Sequence, residues 1–187
     1  MRVIAGALKG RRLKAPTWEG LRPTSDRLRE TLFNVIAPNI AGALVLDGYA
    51  GTGAIGIEAL SRGARGVTFV EQDPRAVALI ASNLASCGLS DAYTIVRAPF
   101  EAAAASLPAG PNFTPFDIVL LDPPYRTSRA EAPTHILEAA SRLVGPHAIL
   151  VLEHGRRDAV PAAAGALVRT RLLESGDSAL SFYTPRP

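Results

Sequence analysis

The sequence predicts an α/β fold: a mostly parallel, doubly wound sheet with helices on both faces and an antiparallel C-terminal hairpin. Three observations carry this. Short apolar runs alternate with helix-like stretches at spacings that suit right-handed crossovers. A loop of small residues, Gly48 to Gly53, joins the first apolar run to the next helical stretch. The chain closes with two strand-like runs around a turn signal.

Taken in order, residues 1–20 read as a basic β-hairpin extension, with Arg2 to Gly6 and Arg11 to Ala15 as its arms. Trp18 either packs against the main domain, the default for such a residue, or stacks on a base. Residues 21–187 form that domain. A helix starts at Thr24 or Ser25, where Pro23 precedes a capping hydroxyl. Leu28, Leu32, Val35 and Ile36 share one face; Arg27, Arg29 and Glu30 lie elsewhere, and Pro38 ends the helix. Ala43 to Leu46 is the first strand, ending at Asp47. The helix after the glycine loop closes at Gly63. Val67 to Val70 is the second strand, ending at Glu71. Asp73-Pro74 caps a helix to about Ser86, with Val77, Ile80, Ala81 and Leu84 inward, and Gly88 stops it.

Tyr93 to Val96 is the third strand, followed by an Ala-rich helix from Phe100 to about Leu107. Phe116 to Leu121 is the fourth, ending at Asp122. A helix from about Ala130 to Val144 tolerates Pro133 in its first turn and stops at Gly145. Ala148 to Leu152 is the fifth strand; Ala166 to Leu173 and Ser178 to Tyr183 complete seven.

Of 187 residues, 48% are hydrophobic, enough for a core and against disorder. The net charge of +3 is mild, but Arg2, Lys9, Arg11, Arg12 and Lys14 crowd the first 14 residues without an acid. Such a patch suits an anionic partner. The single cysteine, Cys87, excludes an intrachain disulfide and reads as a packed, inert thiol. His135, His147 and His154 show no ligand spacing, so no metal is expected. His154-Gly-Arg-Arg157 either lines the substrate side or forms a solvated loop. No apolar run reaches the roughly 18 residues of a membrane span and no signal peptide is evident, so a soluble cytoplasmic protein is expected.

Gly51-Thr-Gly53-Ala-Ile-Gly56 matches the G-x-G-x-x-G fingerprint, with Glu71 twenty residues after Gly51, where a carboxylate bonds ribose hydroxyls. The pattern alone does not choose between a nicotinamide dinucleotide and S-adenosylmethionine. Asp47 favours the latter, because its charge repels a pyrophosphate but not a zwitterionic methionine. Gly56 is then expected to serve helix packing.

Asp122-Pro123-Pro124-Tyr125 follows an apolar strand. An exocyclic amine on a base is a poor nucleophile, since its lone pair is delocalised. A carboxylate and a backbone carbonyl accepting its two N–H bonds draw the nitrogen toward tetrahedral geometry, ready to attack a sulfonium methyl in line. Tyr125 can stack on a flipped base.

These motifs resemble the class I S-adenosylmethionine-dependent methyltransferases. They are most similar to the RsmD family of bacterial 16S rRNA (guanine-N2)-methyltransferases. The resemblance rests on Arg2-Val-Ile-Ala-Gly6 with Gly10-Arg-Arg-Leu13, on Leu21 through Asn34, on Asp47 through Gly53 with Glu58 through Ala64, and on Asp122 through Tyr125. With the tail around Gly176-Asp177 it spans nearly the whole chain.

The resemblance implies a Rossmann-like fold and methyl transfer to a guanine N2 in 16S rRNA, as a monomer acting on an assembling 30S particle. It implies that Asp47, Tyr49, Gly51, Gly53, Glu71, Gln72, Ala98 and Phe100 face the cofactor, with Thr24 closing over it. It puts Asp122 to Tyr125 at the target amine and the basic hairpin on rRNA. The family usually has Phe at Tyr49 and often an acid near Ala98; here Ala98-Pro99-Phe100 points to backbone and aromatic contacts.

Three other readings stay open at the level of sequence. An adenine-N6 methyltransferase shares Asp-Pro-Pro-Tyr, but this chain has no room for a DNA-recognition domain. A dehydrogenase leaves that motif idle. A non-catalytic RNA-binding assembly factor fits the hairpin but not the intact site.

Overall fold

The computed structural model describes residues 1–18, 26–110, 113–124 and 133–186. The chain divides into two compact units, Met1–Phe100 and Glu101–Pro187.

The first unit is built on three parallel strands in the order β3-β2-β1: β1 (Leu44–Asp47), β2 (Gly66–Glu71) and β3 (Tyr93–Arg97). β1 and β2 are buried nearly throughout, as befits the middle of a parallel sheet. α2 (Ala54–Ser61) packs on β1 and β2, and α3 (Pro74–Ser86) on β2 and β3. Asp73 caps α3 as expected: its carboxylate accepts the Arg75 N–H at 2.8 Å, and Pro74 fills the first helical position.

α1 (Asp26–Ile40) departs from expectation twice. Its expected start at Thr24 or Ser25 lies outside the described residues. Pro38 sits within the last turn instead of ending the helix, and Ile40, only 4% exposed, holds the extra residues down. Arg29, expected off the apolar face, is fully buried, whereas Val35 is half-buried. The inner face of α3 is likewise rotated: Ala76, Leu79, Ile80, Asn83 and Leu84 are buried, while Ala81 is exposed. The buried amide of Asn83 explains the turn, because its hydrogen bonds, described below, reach the N-terminal arm.

Residues 1–14 form a hairpin with one antiparallel bridge, Arg2 to Arg12, rather than two paired strands. Val3 and Leu13, 1% and 5% exposed, are buried with the core.

The second unit carries strands in the order β4-β5-β8-β7-β6: β4 (Phe116–Leu121), β5 (Val144–Gly155), β6 (Ala163–Ala164), β7 (Leu167–Ser175) and β8 (Ser178–Pro185). β4 and β5 are parallel; β8 runs antiparallel to β5 and β7, as the hairpin reading requires. Gly176 adopts φ 62° in the two-residue turn between β7 and β8, a conformation open to glycine. β6 is an eighth strand beyond the seven expected: Gly165, at φ 56°, folds Ala163–Ala164 back on Leu167 and Val168.

α4 (Phe100–Ser106) starts on the last residue of the first unit and leads into a single 3-10 turn, Leu107–Ala109. α5 (Pro133–Ala140) is shorter than predicted. It does not reach Val144, because buried Leu143 turns the chain and its carbonyl accepts the Phe116 N–H at 2.8 Å. Val144 and Gly145 therefore open β5.

Candidate active site

The glycine loop is held from both sides by carboxylates. Asp47, at the end of β1 and 2% exposed, accepts the N–H of Gly56 in the first turn of α2 at 2.9 Å. Glu71, at the end of β2, accepts the N–H of Gly51 at 2.9 Å with one oxygen and that of Asp73 at 2.8 Å with the other. The Ala50 N–H bonds Val70 O at 3.0 Å, and the Gly53 N–H bonds Ala50 O at 2.7 Å. Gly51 and Gly53 take φ 54° and 78°, which only glycine adopts without strain.

Two consequences follow. The amides of Ala50, Gly51, Gly53 and Gly56 are committed to protein acceptors, two of them to carboxylates. A dinucleotide loop would instead offer such amides to a pyrophosphate. The loop also sits between two anionic groups, which suits a ligand carrying positive charge and hydroxyl donors.

Further along, Tyr49 is half-buried and its ring meets that of buried Phe100 at 5.2 Å between centroids, tilted by 34°. This contact links the glycine loop to the connection after β3 that carries half-buried Ala98. Gln72 is exposed beside Glu71. The first unit thus brings the loop together with Glu71 and Phe100. Thr24 lies outside the described residues.

In the second unit, Asp122 and Pro123 are half-buried immediately after β4 and Pro124 is exposed; Tyr125 lies outside the described residues. Beside β4, the end of β5 carries buried Glu153 and His154. Both ring nitrogens of His154 are engaged, Nδ1 with Gly155 O at 2.8 Å and Nε2 with Ser181 Oγ at 2.9 Å. His154 is therefore a packed group and not part of a solvated loop. Arg156 beyond it pairs with Glu174 at 3.0 Å. Among the described residues no cluster of three His, Cys, Asp or Glu could hold a metal ion, and no helix is long and apolar enough to cross a membrane.

A family model described as "Conserved hypothetical protein 95" matches residues 1–184. Ribosomal RNA small subunit methyltransferase D of Escherichia coli (strain K12) is 43% identical over 138 residues, covering 74% of this chain and 67% of that protein. The chain belongs to this family of RsmD-like methyltransferases. YlbH of Bacillus subtilis (strain 168) is 36% identical over 186 residues, which is 100% of both chains. The solved structure of Escherichia coli yhhF aligns with a TM-score of 0.83 at 33% identity, covering 99% of this chain and 97% of that one. The fold is that of the class I methyltransferases.

The RsmD-like chain also contains a set of fixing groups that motif reading missed. Glu58, fully buried in α2, accepts the N–H of Ile4 at 2.7 Å and of Ala5 at 2.9 Å, and pairs with Arg62 Nε at 2.7 Å. Ser61 Oγ accepts the Leu8 N–H at 2.9 Å. Asn83 takes the Lys14 N–H at 2.8 Å and donates to Thr52 O at 2.9 Å, joining the basic arm to the glycine loop.

Arg29 Nη2 donates to Arg2 O at 2.6 Å and to Asp26 at 2.9 Å, while its Nε and Nη1 find no partner. Burial lowers the Arg29 pKa, with Asp26 and Glu58 opposing the shift. The one signal for these roles was chemical: Glu58 stands in an otherwise apolar helix, AIGIEALS. On this scaffold Arg2, Lys9, Arg11, Arg12 and Lys14 are all exposed.

Proposed function

We propose that this protein transfers a methyl group from S-adenosylmethionine to the exocyclic N2 amine of a guanine in 16S rRNA. In this reading it acts as a cytoplasmic monomer on an assembling 30S particle. The observation that carries the reading is the carboxylate clamp on the glycine loop, with Gly56 N–H on Asp47 and Gly51 N–H on Glu71. It disfavours a pyrophosphate and favours a cationic ligand. The kinship with ribosomal RNA small subunit methyltransferase D supports the choice of an rRNA substrate.

The fit to the cofactor rests on the donor set. Glu71 has one backbone N–H on each oxygen, which leaves lone pairs for ribose hydroxyls. Asp47 lends negative charge to the methionine side. The Tyr49 and Phe100 rings, with Ala98 and Gln72, would flank the adenine, and Thr24 would cover the site. When bound, S-adenosylmethionine supplies an electrophilic methyl on sulfur.

Asp122 and the carbonyl of Pro123 would accept the two N–H bonds of the amine, localising its lone pair for in-line attack. Pro123 and Pro124 limit backbone rotation there, and Tyr125 would stack on the base. The exposed Arg2, Lys9, Arg11, Arg12 and Lys14 would take rRNA phosphates.

The test is labelled-methyl transfer onto unmodified 30S particles and onto naked 16S rRNA, with the modified base mapped. A single N2-methylguanine is expected, preferentially in the particle. Label on an adenine N6, or none, would refute the proposal. Calorimetry with NAD provides the cofactor control, where no heat of binding is expected.

A further inference from the structure

The docked hairpin and α1 line a half-open cleft of about 350 Å³ in the first unit. Arg2, Lys9 and Gly10 line it from the hairpin, and Asp26, Arg27 and Glu30 from α1. Its shape is preformed. Glu58 holds the backbone at Ile4 and Ala5, and Arg29 holds the Arg2 carbonyl. Gly6 is pressed against Ser61 so closely that a Cβ there would lie 1.8 Å from the Ser61 carbonyl oxygen. The backbone beneath Arg2 is therefore fixed, and so is the spacing between the two walls.

The lining carries an unusual mixture for so small a space. Arg2, Lys9 and Arg27 are exposed, and their side chains have no partner among the described residues. Three exposed cations at one mouth attract an anion. Asp26, whose Oδ1 accepts Arg29 Nη2 at 2.9 Å, and exposed Glu30 stand with them, and the Glu30 carboxylate has no partner among the described residues. A site for phosphate alone gains nothing from two carboxylates. A site for a whole nucleotide does, because carboxylates accept the N–H donors on base edges while cations take the phosphate. The volume lies at the small end of the roughly 300–1,000 Å³ found for ligand pockets, which is room for one nucleotide and not for a duplex.

We propose that this cleft is an RNA subsite, distinct from the methyl-transfer site, that seats one unpaired nucleotide of the substrate. Its phosphate lies among Arg2, Lys9 and Arg27, and its base presents N–H donors to Glu30 and Asp26. The inference rests on the rRNA reading above and adds Arg27, Glu30 and Asp26 to the RNA-facing groups. It gives α1 a part in reading substrate, so recognition is not confined to the basic arm.

The test uses the full chain: wild type, Arg27→Ala, Glu30→Gln, and Arg142→Ala as a control on an exposed arginine of the second unit. Binding to single-stranded 16S rRNA fragments is titrated across salt, and S-adenosylmethionine binding is measured in parallel. Arg27→Ala should reduce the slope of log K against log salt by about 0.7, the value for one single-strand phosphate contact. Glu30→Gln should keep the slope but lower the affinity by about fivefold at every salt, because a charge-assisted hydrogen bond to a base N–H becomes a neutral one. The control should change neither, and cofactor binding should be intact in all.

If the wild type binds RNA and both cleft variants match it, the cleft is not a subsite although the rRNA reading stands. If the wild type binds no RNA, both fall. If naked-RNA binding is unchanged in Arg27→Ala but turnover on 30S particles is lost, the cleft meets a protein, and the nucleotide proposal is overturned.

Discussion

A Cβ on Gly56 would lie 2.2 Å from Cε1 of the Phe69 ring and 2.9 Å from Cγ1 of Val67. α2 thus rests on β2 through the bare backbone of its third residue, which also brings the Gly56 N–H to Asp47. The third glycine of the fingerprint sets the distance between helix and sheet. Gly56→Ala should destabilise the protein by about 1–3 kcal/mol through overpacking, despite alanine's better helix propensity. Denaturant unfolding measures this; a neutral or stabilising result would show that the ring moves aside freely.

Asp47 combines two roles that one substitution separates. As an acceptor it satisfies a buried helix N–H; in the proposed function its charge would favour the cationic cofactor. Asp47→Asn keeps an acceptor oxygen and removes the charge. Affinity should fall more for S-adenosylmethionine, whose sulfur is cationic, than for the demethylated product. Paired calorimetric titrations read the difference. An equal loss for both ligands would mean that the carboxylate acts only by holding the loop.

These two residues also show what a linear reading can and cannot reach. The strand–loop–helix unit was legible because hydrophobic period and glycine placement are local signals, and Asp47 and Glu71 stand at strand ends where those signals stop. The packing role of Gly56 followed from judging the loop chemistry unsuited to pyrophosphate. The roles of Arg29 and Glu58 were not legible. Each is a charge inside a helix, where solvent exposure is the default, and each is buried because a backbone far away in sequence needs a partner: Arg2 for Arg29, Ile4 and Ala5 for Glu58. Helix ends are hidden from a local reading for a related reason. Pro38 and Gly145 are local stop signals, but buried Ile40 and Leu143 decide where α1 and α5 end.

Glu58 makes the basic arm part of the fold. Its carboxylate takes two backbone N–H groups and an arginine at full burial. Glu58→Gln leaves one carbonyl oxygen in place of two carboxylate oxygens, so at least one buried partner goes unsatisfied. Stability should drop by about 1–3 kcal/mol, and the arm should open to amide exchange ahead of the rest of the chain. Hydrogen exchange at Ile4 and Ala5 checks this. Protection equal to that of the wild type would mean that Ser61 and Asn83 suffice to dock the arm.

Asp122 separates chemistry from cofactor binding. The residues that clamp the glycine loop, Asp47 and Glu71, belong to the first unit, whereas Asp122 follows β4 in the second. In the proposed reaction its carboxylate serves the target amine, so its loss should raise the barrier to transfer without weakening the cofactor. Asp122→Ala should lower turnover by at least about 10²-fold, the scale for removing one preorganised transition-state partner. Affinity for S-adenosylmethionine should stay within about threefold, a difference of some 0.6 kcal/mol. Asp122→Asn sharpens the point: the amide keeps one acceptor oxygen but no charge, so it should retain part of the activity if hydrogen-bond acceptance is the main contribution. Single-turnover methyl transfer on unmodified 30S particles, with calorimetry alongside, measures both quantities. Full turnover in Asp122→Ala would remove this carboxylate from the mechanism. A parallel loss of cofactor binding would assign it instead to the cofactor pocket.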